Sequence, residues 1–107
     1  MTTFTPGHAL LIGIGGDLPT TIDDALGLAQ IMHDPTRCAY SPDQVQVLTG
    51  QEATRTQIFA ALDRSAQATD DQATVIIYFS GHGYRVTAGN GAAYYLLPFG
   101  YDMKHLS

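Results

Sequence analysis

Apolar residues along this 107-residue chain fall into unbroken runs and helical stripes. His8 to Ile14 is an apolar run closed by Gly15-Gly16, which predicts a buried strand. Ile22, Ala25, Leu26, Ala29 and Met32 recur at helical spacing, so a helix is expected from about Ile22 to His33. Thr20 or Thr21 can cap it, Asp23 and Asp24 suit the positive end of its dipole, and Pro35 stops it. The loop DPTRCAYSPDQ leads to a short strand at about Val45 to Leu48. Thr54 and Gln57 have capping-box spacing, and a second helix should run from about Arg55 to Ala68. Its inner stripe is Ile58, Ala61, Leu62 and Ser65. Ala73 to Ser80, ATVIIYFS, is apolar without alternation, the pattern of a central strand covered on both faces. Arg85 to Thr87 and Tyr94 to Leu97 can pair as a hairpin across AGNGA.

An alternating β-α-β-α-β order implies an α/β fold with a mainly parallel sheet and right-handed crossovers. The crossover rule orders the first three strands 2-1-3 and puts one helix on each face, a three-layer α/β/α arrangement. Ligands of such sheets sit at the carboxyl ends of the strands. His82 lies at such an end, and so does the loop carrying Asp17 through Asp24. Each β-α unit returns the chain to the amino ends, so Cys38 is expected at the end opposite His82. Two helices are few to cover this sheet, and an apolar surface or strand edge should remain open.

Composition narrows the function classes. A hydrophobic content of 45% supports a packed core. The formal charge of -5 argues against nucleic acid or an anionic membrane as the main partner. The run ALLIGIGG is too short to span a bilayer, and no basic residue precedes it as in a signal peptide. Cys38 is the single cysteine, so no internal disulfide is possible and a reducing, cytoplasmic setting is expected. No His, Cys, Asp or Glu pair has zinc-like spacing, and neither metal nor cofactor is expected. Gly13 and Gly15 in GIGGD supply only the start of a dinucleotide fingerprint, because Leu18 stands where its third glycine should be. Cys38 beside Arg37 has a cation that can favour a thiolate, although a lone loop cysteine is more often inert.

Of four histidines, His82 carries the site signal. It stands between Gly81 and Gly83 where an apolar strand ends, and glycines let a second backbone come close. His33 follows a helix, and His8 and His105 have no such setting. With YFSGHGYR in place, the blocks DDALGLAQIMHDPTRCAYSPDQVQVLTGQEATRTQI, TVIIYFSGHGYR and YYLLPFGYD together resemble the caspase-like cysteine peptidases. The likeness is greatest to the metacaspase and prokaryotic caspase-like branch and covers nearly the whole chain.

The resemblance implies hydrolysis of peptide bonds by a cysteine–histidine dyad. His82 is then the dyad histidine, and Gly83 offers its backbone N–H to the oxyanion. In this family the nucleophile follows the histidine by about 50 residues, which places it beyond Ser107. Residues 1–107 would therefore be the N-terminal, large-subunit-like part of the catalytic domain, inactive alone and partnered by a downstream nucleophile-bearing segment. Ser107 could cap a further helix. Asp24 and Ser80 match residues that line the substrate pocket of metacaspases, and a carboxylate there favours peptides cut after Arg or Lys. No arginine lies between Gly13 and Asp24, where caspases that cut after aspartate supply one. Thr21 stands where some metacaspases have cysteine. Ala92, Ala93, Tyr94 and Tyr95 occupy the segment in which calcium-dependent metacaspases carry acidic residues, which argues against calcium dependence. A different class stays open: a non-peptidase caspase-like module serving regulation or assembly.

Overall fold

A computed structural model describes residues 7–101. The readings that fall on the first six residues, on His105 and on Ser107 lie outside the described residues. The elements are β1 (Gly7–Gly13), α1 (Thr20–His33), β2 (Val45–Thr49), α2 (Arg55–Ala68), β3 (Thr74–Ser80), β4 (Gly83–Ala88) and β5 (Gly91–Leu96). Two short 3-10 turns, Pro42–Gln44 and Gly50–Glu52, flank β2. β1, β2 and β3 form a parallel sheet in the order β2-β1-β3, and β4 and β5 form a separate antiparallel hairpin.

The sheet is organised around β1. Its neighbouring residues Leu10 and Leu11 point to opposite faces, as strand geometry requires, and both are fully buried. Ala9 and Leu11 pack with Ala25, Ala29 and Met32 of α1 and with Tyr40. Leu10, Ile12 and Ile14 pack with Ala61 of α2, Leu48 and Ala53, with Ile58 and Leu62 alongside. One helix thus covers each face, and the described residues form a three-layer α/β/α sandwich.

Helix α2 starts as its sequence demands: the Thr54 side chain accepts a hydrogen bond from the Gln57 N–H at 3.3 Å. Helix α1 starts differently. Pro19 occupies its N-cap without a side-chain hydrogen bond, so neither Thr20 nor Thr21 caps it. Thr21 is buried and bonds the preceding loop instead. The buried stripe of α1 is Thr21, Ala25, Ala29 and Met32, with Leu28 packed beside it, whereas Leu26 is exposed. At the amino end of the sheet, the buried Gln44 side chain donates to the Gly7 carbonyl at 2.7 Å and accepts from the Ser41 N–H at 2.8 Å. That bond ties the start of β1 to the entry into β2.

β3 differs from the expected covered central strand. It pairs with β1 on one side and is an edge of the sheet among the described residues. Val75, Ile76 and Ile77 are exposed, while Tyr78 and Phe79 pack against the two cores. The open apolar edge agrees with the shortage of helices to cover it.

Replacing Leu10 or Leu11 by Ala should cost about 2–5 kcal/mol each, because each fills a different side of the sheet. Urea unfolding of the two variants checks this. A near-neutral result at either position would mean that its layer is not packed.

Candidate functional site

β1 and β3 end side by side, with Gly13 opposite Ser80 and the Ile14 N–H donating to the Ser80 carbonyl at 3.1 Å. The chain leaves β1 through Gly15 and Gly16, both with positive φ (72° and 62°), a conformation that glycine adopts without strain. The turn closes with the Leu18 N–H on the Gly15 carbonyl at 3.0 Å. The Thr21 hydroxyl braces it from below, donating to the Leu18 carbonyl and accepting from the Gly15 N–H, both at 2.7 Å. This is the physical reason that Thr21 does not cap α1. The braced turn holds Asp17 outward, and its carboxylate oxygens lie 3.1 and 3.2 Å from Nε2 of His82. Both side chains are exposed.

The two glycines beside His82 have different reasons to be there. A Cβ on Gly81 would lie 2.6 Å from Cγ1 of Ile14, so only glycine lets the exit of β3 pass Ile14. A Cβ on Gly83 would meet nothing closer than the Tyr95 carbonyl oxygen at 3.6 Å, an ordinary contact. The fold therefore leaves room for a side chain at Gly83. The Leu97 N–H donates to the His82 carbonyl at 3.0 Å and fixes the backbone of His82 to the hairpin. Gly83 pairs with Leu96 one step along the antiparallel ladder. Bonded and non-bonded pairs alternate in such ladders, so the Gly83 N–H turns away from β5.

Asp24 on α1 and Ser80 at the end of β3 are brought together, with the Ser80 hydroxyl 3.5 Å from the Asp24 carboxylate. His82, Gly83, Asp24 and Ser80 thus share the carboxyl-end rim of the sheet, as the topology demands. Cys38 does not join them. It is exposed in the loop after α1, whose 14 residues carry the chain about 20 Å toward the other end. The groups with shifted pKa also lie toward that end. Hydrogen bonds from the Thr36 side chain and backbone hold the Asp34 carboxyl below its ordinary value, with help from Arg37. A hydrogen bond from Ser41 does the same for Asp43, and burial pushes the Tyr40 phenol up.

Asp17 is the residue of this rim that sequence reasoning did not single out. Its signal was the pair of glycines before it, which predicts a tight turn at a strand end but does not say where the next side chain points. Among the described residues, no group of three His, Cys, Asp or Glu side chains could hold a metal ion. None of the described helices is long and apolar enough to cross a membrane. Beside the rim, an open apolar groove of about 710 Å³ runs between α2, β3 and the hairpin. Phe59, Leu62, Ile77, Tyr95 and Leu96 line it.

The family model described as Caspase domain matches residues 6–107. No curated protein matches the chain.

Gly81→Ala should destabilise the fold by about 1–3 kcal/mol, the cost of overpacking against Ile14. Gly83→Ala should cost about 0.5 kcal/mol or less. Paired denaturant curves decide the matter, and equal losses at the two positions would contradict the division of roles.

Proposed function

The chain belongs to the caspase-domain family of cysteine peptidases, and on that premise we propose that it is the histidine-bearing part of an endopeptidase cutting after Arg or Lys. The observation that carries the reading is the rim of the sheet. There an exposed histidine stands next to a glycine that the fold does not require and whose N–H is turned out of its own hairpin.

In the proposed reaction, a cysteine thiol from a segment downstream of Ser107 gives its proton to His82, and the thiolate attacks the scissile carbonyl. The developing oxyanion accepts a hydrogen bond from Gly83 N–H. A backbone donor of this kind contributes about 3 kcal/mol to the transition state, and a glycine lets the substrate backbone come close enough to use it. His82 then protonates the leaving amine, and water later cleaves the thioester, returning the thiol. Asp24, held near Ser80, is the carboxylate for a basic side chain. That pocket, with no arginine between Gly13 and Asp24, supports the metacaspase-like branch over caspases that cut after Asp. The exposed side of β3 and the adjoining groove are where the nucleophile-bearing segment would pack. The lone exposed cysteine supports a reducing, cytoplasmic setting.

The open β3 edge and the exposed Tyr94, Tyr95 and Leu96 also favour a second reading, an assembly module that uses the same surface without chemistry. One assay separates the two. The chain is produced alone and joined to its downstream segment, and each form is offered peptides ending in Arg, Lys or Asp. The chain alone should be inactive. The completed form should cleave after Arg or Lys, and His82→Ala should remove nearly all activity, on the scale of the ~10⁶-fold loss in a related serine system. Asp24→Ala should lower kcat/KM for Arg peptides by about 10- to 100-fold, the loss of one charge-assisted contact. His82-dependent cleavage by the chain alone would overturn the division of the dyad. A preference for Asp in the completed form would overturn the pocket.

A further inference from the structure

We infer that Asp17 is a positioning residue for His82: its carboxylate accepts the Nε2–H and leaves Nδ1 as the ring nitrogen that carries protons. The inference rests on the proposed dyad reading for its catalytic consequence, but the contact itself does not.

Both carboxylate oxygens of Asp17 lie within 3.1–3.2 Å of Nε2. An ionised carboxylate has no proton to give, so the hydrogen of this bond belongs to the imidazole. A neutral imidazole holds one ring proton. With that proton on Nε2, the lone pair is on Nδ1. The ring is then in the one tautomer whose free nitrogen is directed away from Asp17.

The bond joins two separately braced backbones. On one side, the Gly15-to-Leu18 turn is closed by its own backbone bond and by both functions of the buried Thr21 hydroxyl. On the other, the His82 carbonyl is held by the Leu97 N–H, and Gly81 packs on Ile14 without room for a side chain. Because the anchors lie in different loops, the contact fixes the ring orientation.

The proton steps follow. The thiol proton goes to the Nδ1 lone pair, giving a thiolate and an imidazolium that still donates from Nε2 to Asp17. The Nδ1 proton then goes to the leaving amine, and the ring returns to its starting tautomer. Asp17 stays ionised throughout. Its exposure limits its charge effect on the imidazolium, so tautomer and orientation are its main contributions.

The test reads the ring directly. Nitrogen and proton NMR of His82 is recorded in the 107-residue chain at a pH where the ring is neutral. The native chain should show a protonated-type Nε2 and an unprotonated-type Nδ1. Asp17→Ala should move both nitrogen shifts toward those of a mixture of the two tautomers. Asp17→Asn should retain the native shifts, since its side-chain oxygen still accepts. A native ring protonated on Nδ1, or an Asp17→Ala spectrum equal to the native one, overturns the inference.

In the completed protein, Asp17→Ala should lower kcat by about tenfold with KM nearly constant, and Asp17→Asn should recover most of the loss. An unchanged kcat in Asp17→Ala also overturns the inference. If the completed protein is inactive in every form while the ring signature follows Asp17 as described, the peptidase reading fails and the positioning of His82 by Asp17 stands.

Discussion

Leu10 and Leu11 are adjacent in β1, face opposite sides of the sheet, and are both removed from water. Burial of an apolar strand on two faces is the constraint on which the rest of this structure depends. A strand buried in this way needs a layer on each side. It is also hydrogen-bonded on both edges, to β2 and to β3. All three strands are parallel, so each return must cross a face, and α1 and α2 are those crossings. The loops that leave the strands then collect at one rim. The candidate site lies there because β1 and β3 end together and release the Asp17 turn and the His82 loop within hydrogen-bond reach of one another.

The rim combines residues fixed by packing with residues that the packing leaves free. Gly81 has a neighbour that excludes any side chain, and Thr21 spends both functions of its hydroxyl inside the Asp17 turn. Gly83, Asp24 and the His82 ring are under no such demand from the fold. A site needs this mixture: rigid supports hold the geometry, and groups without a structural task remain able to meet a substrate.

Much of this was readable in the residues. The bounds of α2 follow from the Thr54 cap and its apolar stripe, and the strand order follows from alternation and crossover handedness. The rim carrying His82, Asp24 and Ser80 follows from the same topology. The departures have local causes. The stripe of α1 begins at Thr21, a polar residue, so counting apolar residues alone turned the helix toward Leu26 instead of Leu28. Thr21 left the cap because a buried loop with two left-handed glycines offered it a donor and an acceptor at once. Asp17 was hidden because its role depends on a residue 65 positions away. The β3 run has the composition of a doubly covered strand, yet its outer edge and the side chains of Val75 to Ile77 are open among the described residues.

That last mismatch bears on the central proposal, that a nucleophile-bearing segment covers β3. Amide hydrogen exchange over Val75 to Phe79 tests it most directly, comparing the monomeric chain with the form completed by its downstream segment. The account predicts that the β3 amides turned away from β1 exchange rapidly in the chain alone. On completion their exchange should slow by about tenfold or more, with the β1 amides already protected in both. Full protection of β3 in the lone monomer, or no slowing on completion, would contradict it.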